Sequence, residues 1–481
     1  MTDPAPAGRN RGTTQENQAM RPVGDGTPAP WRAAALTILV GGGALGLLAG
    51  GRRLGRVVPI LTAGVALGAA IPIAAASRRP PIAPDEAERA LAETADPPAF
   101  TILVGARDEA AVLTQLVGDV SRQDYRDATG KPLFELIVVD DRSTDGTGRI
   151  ASEAAAECGI ADVTRVLGRE GEGLADGKGA ALSAVAPEDC RGDVVLVLDA
   201  DARMASDFLR RAAGYFAAGA NAVTARRRIL GSGTSWLAGA QADEQTLDGE
   251  INGGRWALGG CSEFRGNGIM IRRDLLAAAG GWRAAALTED IDLSSRLAAT
   301  SGDSVAWAID AEVWEEPVRT LSGLWRQRLR WAEGAFRRAF EHGPAVVHSH
   351  ELSIGAKLDF VGYVGQLAVP VVVLGAAVST ATGGRRRALL AILGGYLGVG
   401  VGLGWDSLRW ETRLDGSPLH SRDRISRALR LSLFNGLWLL VVPKALLDLA
   451  LSRGAVRYSK MEHTGSASLA SPVQTGPEIP R

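Results

Sequence analysis

The sequence is short of cysteine, of lysine and of net charge. Three cysteines, at 158, 190 and 261, keep no metal-ligand spacing and form no even set. A disulfide framework and a zinc module are therefore not expected, and the three read as free thiols in a reducing compartment. Lysine occurs at only five positions (131, 178, 357, 444 and 460) among 53 basic residues, so the positive charge is almost all arginine. Against 54 acidic residues the net charge is −1, which leaves no basic surface to take nucleic acid as a partner. No internal repeat is found. An apolar content of 46% excludes a disordered chain, and glycine without a strict period excludes a collagen-like one.

What is present points to a chain of two natures. Mean hydropathy of +0.04 is high for a soluble protein and low for one wholly within a membrane. At roughly 100–200 residues per domain, 481 residues leave room for two or three units. Residues 1–31 are polar and aperiodic and read as a disordered tail. Residues 32–76 predict a transmembrane hairpin, with arms at 32–50 and 57–76 joined by GRRLGR. Each arm is about 20 residues, roughly 30 Å as a helix, which matches a bilayer core. A charged, proline-bounded linker follows over 77–99. From 100 to 318 short β-rich runs (FTILVG, FELIVVD, VVLVLDAD) alternate with amphipathic stretches, which predicts an α/β domain with a mostly parallel sheet.

An amphipathic helix is expected over 319–345, and apolar character returns in a C-terminal membrane region, 358–451, with candidate spans at 360–380, 388–405 and 430–451. The tail 452–481 is polar. Two spans before the globular domain put it on the same side as the N-terminus. Arg409, Arg413, Arg422, Arg424 and Arg427 fit a cytoplasmic loop, but Arg385–Arg387 would then lie outside. One of the last three segments is accordingly expected to be re-entrant or interfacial.

Four polar clusters fall where chemistry is expected, three of them acidic and close to strand or helix ends. Ligands of open α/β sheets bind at the carboxyl ends of strands. Asp140-Asp141 ends a hydrophobic run and precedes a Ser/Thr/Gly turn. Either carboxylate can accept hydrogen bonds from a nucleotide, or simply cap the next helix. Asp199-Ala-Asp201 places two carboxylates at one strand end. Such a pair is costly without a positive partner, and a hard cation, Mg²⁺ or Mn²⁺, suits oxygen ligands. Thr288-Glu289-Asp290 opens a helix, where acids stabilise the dipole or where Asp290 can serve as a general base. Gln327, Arg330 and Trp331 share one helical face. The amide and guanidinium suit a diphosphate and the indole a sugar face, while the same helix also suits a membrane surface. Lys178 in a glycine-rich loop can meet a phosphate, Glu109 a nucleotide, and Asn267 an acceptor pocket.

In this order the four clusters resemble the family 2 glycosyltransferases, in the membrane-embedded branch of the cellulose, chitin and hyaluronan synthases. Asp199-Ala-Asp201 corresponds to its DxD motif, Thr288-Glu289-Asp290 to TED, and QRLRW at 327–331 to Q(Q/R)xRW. The resemblance covers about residues 100–345. It implies a GT-A fold inserted between transmembrane helices, a nucleotide-sugar donor (UDP-linked) and inverting transfer. It makes Asp290 the base and Asp199 and Asp201 the metal ligands. The donor would meet Glu109, Asp140, Asp141, Lys178, Asp199, Gln327 and Arg330. The acceptor would meet Trp331, Asn267 and Glu289. A place in the cytoplasmic (inner) membrane follows, with the catalytic domain facing the cytoplasm and the bilayer as a partner.

The expected acceptor is a growing polysaccharide. The alternative is a membrane lipid or carotenoid hydroxyl, because CSEFRGNG at 261–268 departs from the cellulose synthase acceptor segment and five spans are few for a polymer channel. A non-catalytic membrane scaffold is the reading from another class, disfavoured because every expected acid is intact.

Overall fold

The structure, a computed structural model, describes residues 28–49, 68–75, 80–171, 174–413 and 417–451. Among these residues eight strands form one sheet: β1 (Phe100–Ala106), β2 (Phe134–Asp141), β3 (Thr164–Arg169), β4 (Val194–Leu198), β5 (Arg203–Met204), β6 (Ala222–Ile229), β7 (Ile269–Arg272) and β8 (Ala306–Glu315). Their order is β3-β2-β1-β4-β7-β6-β8-β5. The first four in that order run parallel. β7 is antiparallel to both of its neighbours, β8 pairs parallel with β6, and β5 pairs antiparallel with β8.

The near-continuous apolar runs of β1, β2 and β4 are explained by burial on both faces. Ile102, Val104, Leu136, Val138 and Leu196 enter the core on one face. Their neighbours Leu103, Ile137, Val139, Val195 and Val197 enter a second core on the other. Alternation at a period of two thus sends each strand into two cores. Because these strands are parallel and in register, their carboxyl ends open along one edge, with Ala106 of β1 paired to Asp140 of β2. The apolar packing of the sheet therefore brings the Asp140-Asp141 and Asp199 turns to the same edge.

Among the described residues, four helices are long and apolar enough to cross a membrane: Ala29–Ala49, Ile354–Thr382, Arg386–Trp410 and Ser421–Leu451. The first begins at Ala29, inside the stretch read as a polar tail. Most of the second hairpin arm expected over 57–76 lies outside the described residues. Within it, residues 68–75 are helical, and Ile73 is buried with Leu247 and Leu431. The tail 452–481 also lies outside them. Two of the long helices are interrupted. Ile354–Thr382 tightens to a 3₁₀ turn at Gln366–Ala368, and the last one breaks at 436–437.

The amphipathic helix Leu321–His348 starts at Thr320, whose hydroxyl accepts a hydrogen bond from the Gly323 amide at 3.1 Å. It joins the two halves of the chain. Phe336 on one turn is buried with Val371, Val442 and Leu446 of the apolar helices. Another face lies on the helix Glu289–Thr300, and Gly334 makes that approach possible. A Cβ there would meet the Thr288 side chain at 2.4 Å.

Candidate active site

At the open strand edge lies a cavity of about 810 Å³. β4 delivers Asp199, and the turn that follows, closed by the Ala202 amide on the Asp199 carbonyl at 3.0 Å, presents Asp201 beside it. Asp201 accepts a hydrogen bond from the Glu316 amide at 2.9 Å, which joins the end of β8 to the end of β4. Lys178 opens the short helix Lys178–Leu182. Its ammonium lies 2.5 Å from Asp199 Oδ1, 2.6 Å from the Gly266 carbonyl and 3.6 Å from Glu289 Oε1. Gly179 permits this: a Cβ there would stand 2.8 Å from the Arg283 carbonyl. Burial works against the lysine charge, but Asp199, Glu289 and Asp290 outweigh it and hold the ammonium charged.

Asp290 behaves differently from its neighbour. Glu289 is buried, and burial pushes its carboxyl up, opposed by Lys178. Asp290 is half-buried and lines the cavity. No hydrogen bond to its carboxylate is found among the described residues. Its Oδ2 is 3.7 Å from where a Cβ of Gly266 would stand, so it sits next to the carbonyl that holds Lys178. The amphipathic helix brings Gln327, Arg330 and Trp331 to the same cavity. Arg328, between them, is buried, pairs with Glu244 and Gln327, and lies 4.1 Å from the Trp331 ring centroid.

Residues 97–334 match the family described as glycosyltransferase like family 2. This region is a family 2 glycosyltransferase domain. With the sheet order above, its fold is GT-A. A β-monoglucosyldiacylglycerol synthase from a Nostoc species is 36% identical over 246 residues, 51% of this chain and 50% of that one. A poly-β-1,6-N-acetyl-D-glucosamine synthase from Staphylococcus epidermidis is 25% identical over 53% of this chain and 59% of that one. Among solved structures, a mannosyltransferase from Pyrobaculum calidifontis in complex with GDP-Man and Mn²⁺ aligns with a TM-score of 0.49 and 19% identity. It covers 79% of this chain and 98% of that one. The chain spans about half the length of the glucosyldiacylglycerol synthase it matches.

Most of the residues picked from the sequence of the family 2 domain line this one cavity: Glu109, Asp141, Lys178, Asp199, Asp201, Glu289, Asp290, Gln327, Arg330 and Trp331. Two lie behind its wall. Asp140 accepts hydrogen bonds from the Ser143 and Gly148 amides, each at 3.1 Å, and so caps the helix Thr147–Glu157 from a distance. Asn267 is fully buried; its amide oxygen accepts from the Asp199 amide at 3.1 Å, which braces the Asp199 turn. Glu289, expected toward the acceptor, is turned to Lys178. Asp141 is held by Arg142 at 2.9 Å and Arg169 at 2.8 Å.

The carboxylate oxygens of Asp199 and Asp201 fit a hard divalent cation in donor chemistry, and Asp199 keeps about a third of its side-chain surface open. A second acidic group, Asp292, Glu341 and His342, has its ligand atoms within 4.8 Å of one another. The Arg283 guanidinium already bridges it, 3.0 Å from Asp292 and 2.6 Å from Glu341, and supplies the positive charge there.

Sequence reasoning missed Glu315-Glu316, Arg227 and Glu244. The glutamate pair ends β8, so the rule that flagged Asp199 would have found it. Arg227 pairs with Glu315 at 2.5 Å, and no sequence signal marks that contact.

Proposed function

We propose that this protein is a membrane-bound, inverting glycosyltransferase. It would move one sugar from a UDP-linked donor to the free hydroxyl of a membrane lipid of the diacylglycerol class. The observation that carries the reading is the shape of the cavity. It is continuous from the strand-end carboxylates to Leu367, Tyr396 and Val442 on three of the apolar helices. The 36% identity to a protein named for a glucosyldiacylglycerol product supports the same acceptor. The polysaccharide acceptor expected from the sequence ranks second, supported by the 25% match to a poly-N-acetylglucosamine synthase.

In this mechanism the acceptor hydroxyl gives its proton to the Asp290 carboxylate as its oxygen bonds to the anomeric carbon. The bond from that carbon to the diphosphate oxygen breaks on the opposite face, so the centre inverts and UDP leaves. Asp290 suits the role because its carboxylate is not spent on a structural hydrogen bond. Arg330 and Gln327 face the cavity where charge builds on the leaving diphosphate, and Lys178, kept charged by its acids, stands on the same side. A Mg²⁺ or Mn²⁺ ion held by Asp199 and Asp201 would supply further neutralisation of the diphosphate.

The test is to incubate the full chain in nanodiscs with dioleoylglycerol, a panel of labelled UDP-sugars, and Mg²⁺, Mn²⁺ or EDTA. The expected outcome is one organic-extractable glycolipid, lost with EDTA. An aqueous polymer ladder in place of it would return the polysaccharide reading, and no transfer of any kind would favour the scaffold.

A further inference from the structure

Two charged side chains of the cavity are gripped at one end and open at the other. Arg227 on β6 forks onto Glu315 at the end of β8, with Nη2 2.5 Å from Oε1 and Nε 3.2 Å from Oε2. Its remaining nitrogen, Nη1, has no hydrogen-bond partner among the described residues. Asp248, on the helix Trp236–Ala257, accepts from Arg265 Nε on Oδ2 at 2.6 Å. Its Oδ1 has no partner among those residues either, and about a third of its side chain is open. Arg227, Glu315, Asp248 and Arg265 all line the cavity. The two grips are themselves fixed. Arg265 also donates to Glu263 at 3.0 Å and to the Tyr363 hydroxyl at 2.9 Å, and the Asn267 amide nitrogen stands 3.4 Å from Glu315.

The strand places Arg227 deliberately. Pairing of β6 with β8 slips just before it, from Ala225 opposite Ala308 to Arg226 opposite Glu312. Irregularities of this kind re-aim the side chains that follow. Arg227 Nη1 and Asp290 Oδ2 lie 3.9 and 3.7 Å from one point, where a Cβ of Gly266 would stand. The open end of the guanidinium is therefore beside the carboxylate assigned as the base. Burial works against the Arg227 charge, but Glu315, Asp199 and Asp248 outweigh it. A diphosphate would be repelled by the Asp248 carboxylate. A sugar ring is neutral, and its hydroxyls both accept and donate, which suits one open N–H group and one open carboxylate oxygen.

We infer that Arg227 and Asp248 read the ring hydroxyls of the hexose being transferred and set which sugar the cavity takes. Nη1 would donate to one hydroxyl and Oδ1 accept from another, with Glu315 and Arg265 as positioning residues. The inference rests on the UDP-sugar reading above and deepens it. A sugar already joined to the acceptor would offer the same hydroxyls. The pull of Asp199 on Arg227 favours the donor, because Asp199 belongs to the diphosphate end.

The experiment compares Arg227→Lys and Asp248→Asn with the unaltered chain in nanodiscs, titrating UDP, UDP-glucose and UDP-galactose by calorimetry without acceptor. A lysine has one ammonium, which stays with Glu315 and leaves nothing for the sugar. An asparagine at 248 keeps its oxygen on Arg265 and presents N–H where an acceptor stood. Affinity for the better-bound UDP-hexose is expected to fall about tenfold in each, the scale of one hydrogen bond to a charged group, with UDP affinity unchanged. Because either variant can disturb folding, the unaltered chain is also titrated with deoxy analogues of that hexose, each lacking one ring hydroxyl. At least one is expected to bind about tenfold more weakly, and the variants are expected not to weaken it further. Equal losses for UDP and UDP-hexose, full UDP-hexose affinity in both variants, or deoxy analogues that all bind normally would overturn the site. Full donor affinity with a raised acceptor KM would overturn it in favour of the acceptor. Failure of the unaltered chain to bind UDP at all removes the UDP-sugar function itself, a result distinct from these.

Discussion

Glu289 and Asp290 are adjacent carboxylates with opposite duties. The first is buried against Lys178 and serves to hold a cation; the second faces the cavity with its oxygens unspent. A general base contributes about 10²–10⁴-fold to turnover. Asp290→Asn is expected to lose that much of kcat while UDP affinity stays within about twofold, measured by single-turnover transfer and by calorimetry. Glu289→Gln is expected instead to raise the donor KM, because Lys178 loses one of its anchoring charges. Equal effects of the two variants on kcat would refute this division of labour. The residues legible in the sequence were those whose position is set by local periodicity. Asp199 ends a strand, and Gln327, Arg330 and Trp331 repeat on one helical face. Asn267 and Arg227 were not legible in their actual roles, because their partners, the Asp199 amide and Glu315, come from remote strands.

At the scale of elements, the amphipathic helix Leu321–His348 decides where the cavity-lining side chains of Gln327, Arg330 and Trp331 stand, and one contact sets its height over the Thr288-Glu289-Asp290 turn. Gly334 lies flush on Thr288, and an added Cβ would overlap both branches of that β-branched side chain, at 2.4 and 2.5 Å. Gly334→Ala improves helix propensity by about 1 kcal/mol, so a purely local view expects stabilisation. Overpacking of this kind costs about 1–3 kcal/mol. The tertiary term is expected to win: transfer falls at least tenfold, and Thr288→Ala introduced with it restores part of the loss by removing the two clashing atoms. Stabilisation with full activity would mean that the helix does not need this close approach. The helix itself is legible from its apolar spacing and its Thr320 cap. Its docking onto Thr288 is not, since a glycine in a helix does not say what it makes room for.

At the scale of the whole molecule, the globular domain is fastened to the apolar helices by buried charge. Glu411, just after one of those helices, receives Arg226 at 2.8 Å and also Arg228, both from β6. It receives Arg427 at 3.0 Å from the last helix. Arg427 reaches on to Asp243 at 2.7 Å, and Arg430 joins it there at 2.6 Å. Burial alone would raise the Glu411 carboxyl, but the three guanidiniums hold it far below its ordinary value of 4.5. A carboxyl depressed on folding stabilises the native state above its unfolded pKa. That contribution is lost progressively as pH falls below about 4.5. The joint between the domain and the apolar helices is therefore expected to loosen in acid and to resist salt, since buried pairs are screened little. Glu411→Gln leaves three guanidiniums facing a neutral amide. Removing one partner of a buried cluster costs about 3–5 kcal/mol, so thermal unfolding in detergent should lose its single cooperative step at neutral pH. The variant should also lose the share of the acid dependence that Glu411 supplies, while Glu263, which burial would raise but Arg338, Arg255 and Arg265 hold low, keeps its own. A variant that melts as one unit with the unaltered pH profile would show that apolar packing of Phe336 and its neighbours, without this charge cluster, holds the two halves together.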